Sequence, residues 1–134
     1  MITEIVKANE SHIEALNDLG MAVGWDTDFG QADFDKDYYF SILGHDGVIH
    51  ALVILSEIRA GVLDSHILKR PDFSSFEFKR KCETITQWLA ARTDYICIVG
   101  FIDKDNKAAI MSANRIGLER VAEVGNHVFL KRDL

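Results

Sequence analysis

Asn106-Lys-Ala-Ala-Ile110, followed by Ile116-Gly117-Leu118, is the stretch on which the fold turns. Asn106 has a short polar side chain suited to accept from an N–H in the first turn of a helix, and Gly117 suits the left-handed residue that stops one. Between them Ala109, Ile110, Ala113 and Ile116 recur at helical spacing, so a helix over 106–116 buries one stripe. Val121 to Val124, then Gly125-Asn126, then Val128 to Leu130 read as a closing hairpin.

Working back from this stretch, Tyr95 to Ile102 is a nearly uninterrupted apolar run, as expected of a strand buried on both faces. From Ser75 to about Arg92 the period is helical, with Phe78, Cys82, Ile85 and Leu89 on one stripe. Val62 to Leu68 reads as a strand ending at Arg70-Pro71, entered through a turn at Ala60-Gly61. His45-Asp-Gly47 predicts a tight turn between strands Tyr38–Leu43 and Val48–Ile58, because Asp-Gly supplies the positive φ that hairpins need. Nearer the start, Ile2 to Val6 reads as a strand, and Ser11-His-Ile-Glu14 as a capping box opening a helix to about Leu19. Met21 to Asp35 interleaves Trp25, Phe29 and Phe34 with Asp26, Asp28, Asp33 and Asp35. This composition suits either an aromatic lid over the sheet or a groove for a cationic acceptor or partner.

A chain of 134 residues, 48% of them hydrophobic, is long enough to bury its own core, and residues 1–134 read as a single domain. The net charge of −6 argues against nucleic acid and anionic membranes as partners. Cys82 and Cys97 fall in apolar periodic segments and read as reduced core thiols, which suits a cytoplasmic protein. There is no membrane-length apolar run and no secretory pattern at the start. His45 and His50 flank one turn and His127 lies in the last hairpin. They read as exposed turn residues without metal-ligand spacing.

The order strand, helix, excursion, three strands, helix, strand, helix, two strands resembles the GCN5-related N-acetyltransferase (GNAT) superfamily along nearly the whole chain. Members often close with Asn-x-x-Ala-hydrophobic-x-x-Tyr-x-x-x-Gly-Phe, matched here by Asn106, Ala109, Ile110, Gly117 and Leu118. Arg70-Pro-Asp-Phe73 is similar to the end of the family's fourth strand. The resemblance implies an α/β (α+β) fold, with a mixed, mostly antiparallel sheet of about seven strands flanked by helices. It also implies acetyl-CoA as acyl donor and an amine-bearing small molecule or protein as acceptor. A homodimer is left open. The glycine-poor loop gives a looser likeness to small bacteriophage GNAT-like proteins, some of them virion proteins.

Carried onto this chain, the resemblance places pantetheine on the backbone of Leu68 and Lys69, the pyrophosphate at Ser74, Ser75 and Phe76, and Asn106 in support of the cofactor. The family's phosphate loop reads Arg/Gln-x-x-Gly-x-Gly/Ala, whereas the marked positions here are Ser74, Glu77 and Lys79. Ser74-x-x-Glu77 is itself a capping box, so the carboxylate is expected to take the place of the anion, with Lys79, Arg80 and Lys81 offsetting its charge in part. The family's acidic tyrosine aligns with Ala113, which leaves that role vacant. Asp64 and His66 lie on one side of the fourth strand; His66 is the candidate base, and a merely hydrogen-bonded histidine is the competing reading. Two functions therefore stand: an N-acyltransferase with an atypical loop, and a catalytically inactive protein-binding module on the same scaffold.

Overall fold

The computed structural model describes residues 2–26 and 28–134. Strands β1 (Thr3–Lys7), β2 (Tyr38–Gly44), β3 (Ile49–Arg59), β4 (Val62–Lys69), β5 (Cys97–Asp103), β6 (Glu119–Val124) and β7 (His127–Asp133) form one sheet, in the order β1-β2-β3-β4-β5-β7-β6. The helices are α1 (Ile13–Val23), α2 (Ser75–Ala90) and α3 (Lys107–Arg115), with single 3-10 turns at Glu10–His12 and Phe29–Gln31. Pairing is antiparallel for β1–β2, β2–β3, β5–β7 and β6–β7, and parallel for β4–β5. The chain is thus α+β, as expected. Among the described residues no helix is long and apolar enough to cross a membrane.

The contacts gather into two compact units, Met1–Ser56 with His66–Lys81, and Glu57–Ser65 with Cys82–Leu134. In the first unit, Leu16 and Leu19 of α1 pack with Phe29, Tyr39, Leu52 and Leu68. Complete burial of a ring such as Phe29 stabilises by about 2–3 kcal/mol. The entry to α1 differs from expectation. Asn9, not Ser11, is the cap: its side chain accepts from the Ser11 N–H while His12 Nδ1 accepts from the Asn9 N–H. A 3-10 turn precedes the α-helix, which shifts the cap toward the N-terminus, and α1 runs on to Val23 before Gly24 stops it.

In the 21–35 excursion, where Thr27 lies outside the described residues, the carboxylates serve local turns. Asp28 Oδ1 accepts from Gly30 N, Asn17 Oδ1 accepts from Phe29 N, and Asp33 Oδ1 accepts from the N–H groups of Asp35 and Lys36. Phe29 is therefore a core residue, 1% exposed, and not part of a groove wall. Phe34 packs edge-on against Tyr39 with ring centroids 4.9 Å apart.

In the second unit, β5 is shorter than its apolar run. Cys97 to Gly100 are buried, but Ile96 and Phe101 are 61% and 55% exposed, so full burial ends at Gly100. Gly100 admits Leu118, whose Cδ2 would stand 3.4 Å from an added Cβ. Every residue of β6 is exposed, and a bulge at Val121 interrupts its register on β7. Such an irregular, charged outer strand resists pairing with other chains.

Candidate functional site

The loop that opens α2 lies in the first unit. Arg70 N donates to His50 O and its guanidinium Nε to Ile49 O, both at 3.0 Å, and Phe73 N donates to Arg70 O. Phe73 is buried, so this segment is packed down despite its lack of glycine. The helix then begins with Ser74 Oγ accepting from Glu77 N at 3.2 Å and Ser74 O accepting from Phe78 N.

The capping box is only half made. Glu77 does not return to the cap; its carboxylate runs down the helix to Lys81 Nζ at 3.5 Å and Arg80 Nη1 at 3.8 Å. The carboxylate lies toward the two cations, whose opposite charge attracts it at helical spacing. The expectation that the Glu77 carboxylate takes the anion's place is therefore wrong. Ser74 Oγ takes the Glu77 amide, and Ser75 and Phe76, the first two residues of α2, have no carbonyl one turn back within the helix to accept from their amides. Lys81 is engaged elsewhere, donating to Thr3 O at 3.0 Å, so Lys79 and Arg80 are the exposed cations of this turn. The first amides of a sixteen-residue helix, at its positive end and with the exposed Lys79 and Arg80 beside them, fit a diphosphate.

On β4, Leu68 is buried and Lys69 half-buried, with Lys69 Nζ donating to Arg70 O. Asp64 is half-exposed and His66 exposed. The His66 ring lies 6.1 Å from that of Trp25, tilted by 56°. Trp25 Nε1 is buried without a hydrogen-bond partner among the described residues. An open cleft of about 440 Å³ in the same unit is lined by Glu10, Asp33, Phe34 and Asp35 together with Asn9 and Ala32. Three carboxylates and no basic side chain line it.

The second unit holds the rest. The parallel ladder of β4 on β5 runs from Val62↔Cys97 to Asp64↔Val99, and Ser65 Oγ donates to Val99 O at 2.9 Å. Leu68 and Lys69 lie beyond its last pair. Asn106 Oδ1 accepts from Ala109 N at 3.2 Å, which is the helix-cap role. At the other end of α3, Gly117 N donates to Asn114 O and Leu118 N to Ala113 O, the Schellman pattern, with Gly117 at φ 92°. Ala113 is 4% exposed and has no ionisable group, so α3 offers no acid there.

Arg132 was not singled out from the sequence. Its Nη1 donates to Glu83 Oε1 at 2.9 Å and to Ile116 O at 2.6 Å, tying β7 to α2 and to the C-terminus of α3. No local pattern marks an arginine whose partners are distant in the chain. His50 also departs from expectation, being 6% exposed and not a solvated turn residue. The free thiols Cys82 and Cys97 are buried, as expected, and burial pushes the Cys82 thiol up to about 12. Among the described residues no group of three or more His, Cys, Asp or Glu side chains is placed to hold a metal.

No family model matches the chain, and no curated protein matches it. Solved structures do. An acetyltransferase of the GNAT family from Streptococcus pneumoniae matches with a TM-score of 0.75 at 13% identity, over 99% of this chain and 100% of that one. The ribosomal-protein-S5-alanine acetyltransferase of Vibrio fischeri gives a TM-score of 0.76 at 10% identity, covering 99% and 97%. Mutant forms of the spermidine/spermine N-acetyltransferase of Vibrio cholerae give 0.72 at 11%, covering 98% and 95%. At these identities the likeness is one of fold, and the chain has the GNAT fold.

Proposed function

We propose that the protein is an acyl-CoA-dependent N-acyltransferase that transfers an acetyl group to an amine. The observation that carries this reading is the half-made cap of α2. Ser74 satisfies the Glu77 amide, Glu77 turns to Arg80 and Lys81, and the first two amides of α2 have no partner within the helix. A helix start closed by its own carboxylate would have argued for a scaffold without ligand. The GNAT-fold neighbours act, by their names, on spermidine or spermine and on a ribosomal-protein alanine, which are amine-bearing acceptors.

In this proposal Ser75 and Phe76 donate their N–H groups to a diphosphate, Lys79 and Arg80 add positive charge, and the backbone of Leu68 and Lys69 receives the pantetheine arm. Ser74 and Asn106 set the helix starts, as their cap bonds indicate. Acetyl-CoA supplies an activated thioester carbonyl. The acceptor arrives as an ammonium ion and must lose a proton before its nitrogen can attack. The His66 imidazole takes that proton, directly or through a water. Ala113 cannot donate, so as the carbon–sulfur bond breaks the thiolate takes its proton through solvent, which receives the second proton lost by the acylated nitrogen. The cleft lined by Glu10, Asp33 and Asp35 gathers the cationic acceptor, as its uniform sign favours.

Ala113, buried where the family's tyrosine aligns, favours a second reading, a non-catalytic protein-binding module. Thermal shift and thiol release with acetyl-CoA and a panel of amines separate the two. At about 100 times its dissociation constant the cofactor stabilises by roughly 2.7 kcal/mol. No shift at millimolar acetyl-CoA refutes the enzyme, and a shift without thiol release on any amine moves the conclusion to the second reading.

A further inference from the structure

In the second unit, β5, β7 and β6 have one covered face and one that opens partway along. Leu130, opposite Gly100, and Val128, opposite Ile102, are fully buried on the covered face, the side on which Gly100 meets Leu118. The register sets Phe101 opposite Phe129 and Asp103 opposite His127, with Ala122 and Val124 of β6 beside them, so these side chains share the other face. That face is closed at the start of β5, where Cys97 and Val99 are buried. From Phe101 onward it is open: Phe101, Val124 and His127 are exposed and Phe129 is half-buried. The rings lie together, Phe101 being 5.4 Å from Phe129 and 5.8 Å from His127 between centroids. Contiguous rings left in water mark a binding face.

Asp64 belongs to the same face. It pairs with Val99 in the parallel ladder of β4 on β5, and Phe101 is the next β5 residue on that side, about 7 Å further along the strand. The charge of the face is negative. Lys131, opposite Val99, is held by Asp133 at 3.1 Å, while Asp64, Asp103 and Glu119 all carry carboxylates on this side. We infer that this face receives the acceptor, and that the acceptor is an arylalkylamine, an ammonium group joined by a short alkyl chain to an aromatic ring. Its ring lies on Phe101 and Phe129, where offset or edge-on contact is favourable, and its ammonium group points toward Asp64. A polyamine would leave the rings in water. The inference deepens the function proposed above and rests on it, since Asp64 stands two residues before the proposed base His66.

Thiol release from acetyl-CoA with phenethylamine and with propylamine tests this in the full chain, beside ligand-observed NMR of phenethylamine binding to the unliganded protein. For the wild type, kcat/KM should be about tenfold higher with phenethylamine than with propylamine. Phe101→Ala should raise KM for phenethylamine about tenfold, and leave KM for propylamine and the affinity for acetyl-CoA within about twofold. Phe101 is more than half exposed, so its truncation spares the core; Phe101→Leu gives the same readout should alanine weaken the fold. Equal kcat/KM for the two amines, or an unchanged phenethylamine KM in Phe101→Ala, overturns the inference and leaves acyl transfer standing. Absence of thiol release with every amine overturns the enzyme, and the NMR result then decides the face. Phenethylamine binding that is lost in Phe101→Ala keeps it, and no binding to the wild type removes it.

Discussion

Replacing Gly117 by alanine should cost far more than the same change at Gly125, although both glycines sit at positive φ, 92° and 58°. The backbone penalty for a Cβ in the left-handed region is about 1 kcal/mol at either position. At Gly125 nothing lies within 4 Å of the added carbon. At Gly117 the carbon would stand 2.7 Å from Arg132 Nη1 and 3.1 Å from its Cδ and Cζ. The guanidinium must give way, and it is tied to Ile116 O and to both oxygens of Glu83. Loss of the bond to Ile116 O is worth about 1–2 kcal/mol, and the part-exposed pair with Glu83, weakened by solvent, about 0.5–1 kcal/mol. Gly117→Ala should therefore destabilise by about 3 kcal/mol and Gly125→Ala by about 1 kcal/mol. With a urea dependence of about 2 kcal/mol per molar, the midpoints fall by roughly 1.5 M and 0.5 M. A double-mutant cycle isolates the cause: in an Arg132→Ala background the cost of Gly117→Ala should drop to the backbone term alone. If it does not change there, the Arg132 contacts are not what the glycine protects.

Glu77→Gly should lower stability by about 1 kcal/mol through helix propensity and the lost ion pairs, while raising acetyl-CoA affinity by removing a carboxylate and a Cβ near the phosphates; calorimetry showing unchanged affinity would mean the side chain is no obstacle. Arg80→Ala should weaken acetyl-CoA about fivefold, since the residue is exposed and contributes roughly 1 kcal/mol, and a loss below twofold removes it from the phosphate site. If the acidic cleft gathers the acceptor as proposed, paired Asp33→Asn and Asp35→Asn changes should raise KM for a cationic amine and leave kcat within about twofold; an equal fall in kcat would contradict that. Burial keeps the Cys82 thiol protonated in the fold, so its contribution to stability is complete below the unfolded thiol pKa near 9 and is lost as pH rises toward about 12. Denaturation midpoints measured from pH 8 to 11 should fall less steeply in Cys82→Ala, and parallel profiles would rule the thiol out.

Sequence pattern carried the elements whose causes are local. The Asn106 cap, the Gly117 stop, the Asp46-Gly47 turn and the apolar stripe of α2 depend on neighbours within a few residues, and all four are present. The first cap failed because two polar runs competed, and Asn9 with His12 closed a turn that Ser11 and Glu14 also allowed. Glu77 failed for a related reason: one carboxylate had a backbone amide and two cations within reach, and the capping pattern ranked the amide first.

What the chain determined by itself is therefore the succession of strands and helices and the points where they start and stop, because hydrogen bonding and φ preferences act over a turn or less. Tertiary structure alone decided that Arg132 bridges Glu83 and Ile116 and that His50 is buried against Phe73. Those outcomes depend on which groups packing brings within a few ångströms, where burial removes water as a partner and makes each remaining contact decisive. Linear spacing records none of that.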